Sequence, residues 1–215
     1  MNEQQSYFDD PTGVTRWTTY FLYASMLVSL LSGWNFFSEL PGYGGEDSPA
    51  TFSALGIAWA FGRIAIMLIT AILVLTWIHR ANYNARQLGG VDMRFTPGWA
   101  VGWYFIPVAW FWKPYQAMKE IWLASANPSD WRGRLASPLL LWWWIFWIVP
   151  FWGVSLVDWW AGRRLDERGA EIVQASTGIA SSLMDTALAL ILIAIIRRVH
   201  HNQMVHYGRQ VADGT

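Results

Sequence analysis

The sequence predicts an all-α integral membrane protein: four transmembrane helices, a re-entrant or interfacial segment over about residues 98–126, and both termini cytoplasmic. Three observations carry this. The chain of 215 residues is 54% hydrophobic and only 14% charged, the wrong balance for a soluble domain of that length. It holds 17 tryptophans, a residue that concentrates where an amphipathic ring meets the headgroup zone of a bilayer. Its apolar residues also fall into four runs, 17–37, 52–78, 139–160 and 172–196, each near the roughly 20 residues that a helix needs to cross a hydrocarbon core about 30 Å thick. The whole reads as one membrane domain, 1–215. A formal net charge of zero gives no basic field for nucleic acid, and the absence of cysteine removes disulfides and thiolate metal sites from consideration.

Before the first span stand Glu3, Asp9 and Asp10, with Arg16 as the first basic residue. That order does not fit a basic n-region with a short apolar core, so no cleaved signal peptide is expected. The loop "SELPGYGGEDSPAT" after the span is acidic and has no Lys or Arg. The second span continues as helix through "HRANYNARQ" until Gly89 and Gly90, a C-cap signal. In "FTPGW", Thr96 is an N-cap candidate with Pro97 at the first helical position, and Ser137 with Pro138 repeats the arrangement before the third span.

Gly98 to Trp112 poses the main question of topology. It is apolar but short for a span, and Pro107 breaks it by removing the bond to the Trp103 carbonyl. The distribution of cations decides. If the segment crosses, Lys and Arg outside the spans divide evenly between the two sides. If it enters and leaves on one side, that side holds Arg16, seven residues from Arg80 to Arg134 (Arg80, Arg86, Arg94, Lys113, Lys119, Arg132, Arg134), and Arg197, Arg198 and Arg209, leaving Arg163, Arg164 and Arg168 opposite. Eleven against three is the cytoplasmic bias that the positive-inside rule expects. The segment is therefore read as re-entrant, and 114–126 as an amphipathic interfacial helix with Tyr115, Met118, Ile121, Trp122 and Ser125 on its apolar face, opposite Gln116, Lys119 and Glu120.

The run from "HRANYNARQLGG" through "FTPGWAVGWYFIPVAWFWKPYQAMKEIWLAS" to "PSDW" and the Trp-rich third span resembles a bacterial multi-pass membrane family known as domain of unknown function 4328. The resemblance covers roughly residues 50–200, carried by the Pro-Gly-Trp, Phe-Ile-Pro and Lys-Pro-Tyr elements. It implies a bacterial membrane location and no assigned chemistry. Trp110 departs from it, standing where such proteins more often carry a polar residue.

Two charged residues lie deep in the spans. Arg63 is 11 residues from Phe52 and Asp185 is 13 from Ile172, depths of about 17 and 20 Å in parallel helices. Ionisable groups at such depth are costly and usually partnered, so an intramembrane ion pair is expected. Each sits on a small-residue stripe, Ser53, Gly56, Ala60 and Arg63 on one helix and Ala175, Gly178, Ser182, Asp185 and Ala189 on the other. Asp158, near the outer end of the third span, suits an interfacial cap or a pair with Arg163. His79 and His201 each lie 16 residues beyond Arg63 and Asp185, turned about 160° from the charged faces, and no metal or other cofactor is expected. At the cytoplasmic rim, Trp112, Lys113, Lys119, Trp122, Trp131, Arg132 and Arg134 surround the re-entrant segment as a lipid-facing set, read either as ordinary positive-inside sorting with aromatic anchoring or as a site for membrane lipid, anionic lipid being the candidate.

No phosphate-binding loop, HExxH or nucleophile elbow is present. The expectation is a non-enzymatic plasma-membrane protein, a scaffold or lipid-interacting accessory. The other reading is a small transporter or channel built on Arg63 and Asp185 beside the re-entrant loop.

Overall fold

The computed structural model describes residues 8–38, 40 and 54–213. Ser53 and most of the acidic loop 38–51 lie outside these. Among the described residues the regular structure is entirely helical: α1 Thr12–Ser38, α2 Ala54–Gln87, α3 Pro97–Gly102, α4 Lys113–Ala126, α5 Pro138–Val149, α6 Ser155–Arg164 and α7 Glu167–Asp213, with single 3-10 turns at Trp103–Phe105 and Ala109–Phe111 and a π-helical turn at Pro150–Val154. Among the described residues, four helical stretches are long and apolar enough to cross a membrane: α1, α2, the α5–α6 run and α7.

Local chemistry sets the boundaries. Asp10 starts α1, its carboxylate accepting from the Thr12 backbone N–H at 2.9 Å and the Thr12 hydroxyl at 2.6 Å. A Schellman motif ends α2, with Gly90 N–H on the Ala85 carbonyl, Gly89 N–H on that of Arg86, and Gly89 at φ 103°. Thr96 caps α3 by accepting from Trp99 N–H, behind Pro97, and Ser137 Oγ accepts from Leu139 N–H at the start of α5. Pro150 interrupts the third run, since it has no N–H to give and its ring crowds the preceding turn. The chain absorbs this as the π turn and continues as α6. The fourth helix runs well past the apolar residues, to Asp213.

The described chain falls into two compact units. The first contains residues 8–19, 71–141 and 192–213, hence the start of α1, the end of α2, everything from α3 to the start of α5, and the end of α7. It has a packed interior in which Trp77, Ile78, Met118, Ile121, Leu140, Ile195, Ile196 and Val199 are fully buried, each such side chain contributing about 1.5–3 kcal/mol by leaving water. All eleven cationic residues assigned to one side by charge counting lie in this unit, from Arg16 to Arg209.

The second unit contains residues 20–70 and 142–191. Close backbone approach holds α1 to α7: a Cβ on Gly33 would lie 3.0 Å from Ser182 Cβ, and one on Gly178 would lie 2.6 Å from the Phe36 ring. Ser25 and Thr70 share a hydrogen bond of 2.9 Å between α1 and α2. The stripe Ala175, Gly178, Ser182 and Ala189 is buried as its small residues suggest, but at Gly178 and Ser182 it meets α1. The stripe on α2 is not its partner there. Ala60 and Arg63 are exposed. Much of the remaining surface is apolar, including Leu55, Phe61, Met67, Trp142, Phe151 and Leu183.

Candidate functional site

The buried polar chemistry gathers in the first unit. Its focus is the connection from Leu88 to Thr96, where Arg86 and Glu120 grip the backbone at 93–95 through complementary groups. The Arg86 guanidinium donates to the carbonyls of Met93 (2.7 Å) and Phe95 (2.8 Å) and to Asn82 Oδ1 (3.3 Å). Glu120 on α4 accepts from the backbone N–H groups of Arg94 (3.0 Å) and Phe95 (3.3 Å). Trp131 closes the same turn by donating its indole N–H to the Val91 carbonyl. Next to it, Asp92 at φ 58° pairs with Arg132 at 2.9 Å.

Other polar side chains tie the helix ends to one another. Gln203 on α7, 1% exposed, donates to the Ala81 carbonyl of α2 and to Ser125 Oγ of α4, each at 2.8 Å. Asn84 exchanges two hydrogen bonds with the backbone of Asp9, Arg80 pairs with the Asp9 carboxylate at 2.9 Å, and Phe8 stacks on Tyr207. The segment before α1 is thus pinned across α2 and α7.

From this base residues 97–112 form a hairpin. Pro107 lies at its tip between the two 3-10 turns, as the break expected there, and the tip exposes Phe105, Ile106 and Val108. Lys113, where the hairpin ends, places Nζ over the ring of Phe95, where it begins, at 5.5 Å, and over Trp103 at 5.3 Å. The segment therefore returns to its origin.

The residues singled out from sequence divide. On α4, Met118, Ile121 and Ser125 are buried as expected, but so is Glu120, which sequence spacing placed on the polar face; two backbone N–H groups draw it inward. Trp131 is not on a lipid-facing rim, because its side chain packs inside and its N–H is used within the unit. Arg132 and Arg134 are held by Asp92 and Asp130. Trp112 is exposed, and Lys113, Lys119 and Trp122 are half-buried. Arg63 and Asp185 both lie in the second unit. They are not in ion-pair contact: the pairs within 4.0 Å among the described residues are Arg80–Asp9, Arg132–Asp92 and Arg134–Asp130. Asp158 accepts from Thr177 Oγ1 at 2.7 Å, and Arg163 lies over the Trp159 ring, so the expected Asp158–Arg163 pair is replaced by two separate contacts. His79 and His201 are exposed, and the described residues contain no group of three His, Asp or Glu able to hold a metal.

Sequence reasoning counted Arg86 only as a cation and Glu120 only on a polar face, and it passed over Asn82, Asn84 and Gln203. Their signal was present as amides and charges inside otherwise apolar helical spacing, in "RANYNARQ" and "HHNQ". Their partners are mainly backbone groups distant in the chain, and no side-chain motif points to those.

What the cluster does chemically is positioning: it holds the hairpin's base in one conformation. Burial pushes the Glu120 carboxyl above the usual carboxylate range, against its two N–H bonds and the attraction of Arg94 and Arg86. A carboxyl with a raised folded-state pKa keeps its proton longer when folded, so its contribution to stability is full below the ordinary carboxylate value and declines as pH rises through the folded value. Glu120→Gln keeps an acceptor oxygen and does not titrate. The wild type should therefore lose stability relative to this variant as pH rises across that window, measured by thermal unfolding in detergent. A difference independent of pH would remove Glu120 as the source.

Among proteins of known sequence, a family model described as Domain of unknown function (DUF4328) matches residues 46–201, the greater part of the chain. No curated protein and no solved structure matches this chain.

Proposed function

We propose, for a chain that belongs to the DUF4328 family, a non-catalytic role as an integral protein of the bacterial plasma membrane that presents a rigid, lipid-associated platform on the cytoplasmic face. The observation that carries this reading is that one compact unit contains both the hairpin and all eleven cations expected on the cytoplasmic side. The start of α1, end of α2, start of α5 and end of α7 meet in that unit, which suits four crossings with both termini on one side. The apolar tip at Phe105, Ile106 and Val108 suits entry into the membrane from that face, since a backbone break at such depth is tolerated when protein satisfies its polar groups. Trp112 anchors at the headgroup level, and Lys113 and Lys119 meet anionic lipid there.

Placement is tested by cysteine accessibility in whole cells, because the sequence has no cysteine. Glu167→Cys should react with an impermeant thiol reagent, while Gln87→Cys, Gln116→Cys and His201→Cys should react only after the membrane is opened. These four native positions are exposed, whereas Ser125 and Gln203 are buried and would stay silent on either side. External labelling of Gln116→Cys would put the hairpin across the membrane and end this reading. For the lipid role, Lys113→Gln with Lys119→Gln should lower co-purifying anionic lipid, each basic group near such a surface contributing about 1 kcal/mol. Unchanged lipid would leave these cations a sorting role only.

A transport reading rests on Arg63 and Asp185, charged and exposed within the apolar stretches of α2 and α7. A proton or ion flux in proteoliposomes that disappears with Asp185→Asn would favour it over the platform.

A further inference from the structure

In the first unit two buried polar atoms, Thr15 Oγ1 on α1 and His200 Nδ1 on α7, have no hydrogen-bond partner among the described residues. Helix geometry turns them toward each other. α1 and α7 are each continuous and run antiparallel, since Gly33 faces Ser182 while Phe36 faces Gly178. Thr15 lies 18 residues before Gly33 and His200 lies 18 after Ser182, in each case about five full turns, so each returns to the contact face at the same level. Phe8 stacks on Tyr207, which is 7 residues beyond His200 on that same face of α7. His200 therefore sits under the start of α1, past the apolar run that ends at 196.

The segment before α1 is fastened above this joint by polar contacts. Asp9 is held by Asn84 and Arg80, Arg80 also donates to the Asp10 carbonyl at 3.2 Å, and the Asp10 carboxylate caps Thr12. The joint itself is under-satisfied, because opening it would give water to both unpaired atoms. Burial holds the His200 imidazole below the ordinary histidine range, with attraction from Asp10 opposing this and repulsion from His201 adding to it. Such a histidine stabilises the docked state fully above its ordinary value and loses that contribution as pH falls toward the folded one.

We propose that His200 makes the seat of the segment before α1 responsive to pH: with a neutral imidazole the segment stays docked across α2 and α7, and protonation of the imidazole releases it. A charged ring under the segment needs an acceptor for the proton on Nδ1 and needs water around it, and the closed joint supplies neither as well as solvent does. Release frees Tyr207 and Asn84 at the ends of α7 and α2. The device acts on the side of the membrane that holds the termini and does not depend on which side that is.

Hydrogen exchange of the whole protein in detergent tests this, read at the Asp9 amide, which donates to Asn84, and the Thr15 amide, which donates to the Pro11 carbonyl. After correction for the intrinsic rate at each pH, their exchange should rise at least about threefold between about pH 7.5 and 5.5, the interval in which histidine charges. His200→Gln cannot take up the proton and should stay flat over the same interval. Asp10→Asn keeps an oxygen to cap α1 but removes the attraction that favours imidazolium in the docked state, so its response should be larger than that of the wild type. Flat exchange in the wild type would overturn the proposal. So would a response that survives His200→Gln, or one that disappears in Asp10→Asn, because each assigns the proton to another group. Should His200→Gln fail to accumulate, the wild-type series and Asp10→Asn decide.

Discussion

Arg86→Ala is expected to lower the unfolding free energy of the detergent-solubilised protein by about 3 kcal/mol, the largest loss from any single side chain of the polar cluster. The guanidinium bonds the carbonyls of Met93 and Phe95 and the Asn82 side chain, all three residues being buried. Leaving such acceptors unpaired costs about 1–3 kcal/mol each. Arg86→Lys should recover only part of this, because an ammonium cannot spread its donors over the same fork. The effect should reach beyond stability. Glu120 holds the amides of the same strip, so removing Arg86 frees the base of the hairpin and should increase protease cutting within 88–96. A loss below about 0.5 kcal/mol, the size of an ordinary surface change, would mean that the carbonyls find other partners and that the cluster does not fix the hairpin.

Gly178→Ala should destabilise by about 1–3 kcal/mol, the usual cost of overpacking a close contact. Its new Cβ would lie 2.6 Å from the Phe36 ring, and the atom it meets first is Cγ, which cannot swing away without moving the whole ring. The remedy identifies the cause. Phe36→Ala opens the space, so the double variant Gly178→Ala with Phe36→Ala should lose less than the two single losses added together. Strict additivity in thermal unfolding would show that α1 and α7 do not approach at this glycine.

Residues distant in sequence make most of these contacts, and that explains how far the sequence could be read. Helix ends were legible because their determinants are local. Thr96 with Pro97, Ser137 with Pro138, and Gly89 with Gly90 act on backbone groups within a few positions. The four apolar runs were legible because length against bilayer thickness is a one-dimensional comparison. By itself the sequence determined a four-run helical protein with a broken segment at Pro107. Only the tertiary structure decided which faces meet. It turned the Gly178 stripe to α1, drew Glu120 inward to backbone amides, buried Trp131, and kept Arg63 apart from Asp185. Spacing places a residue around its own helix axis but says nothing about the rotation of one helix against another. That rotation is set by the summed packing of side chains and by buried polar groups finding backbone partners far along the chain.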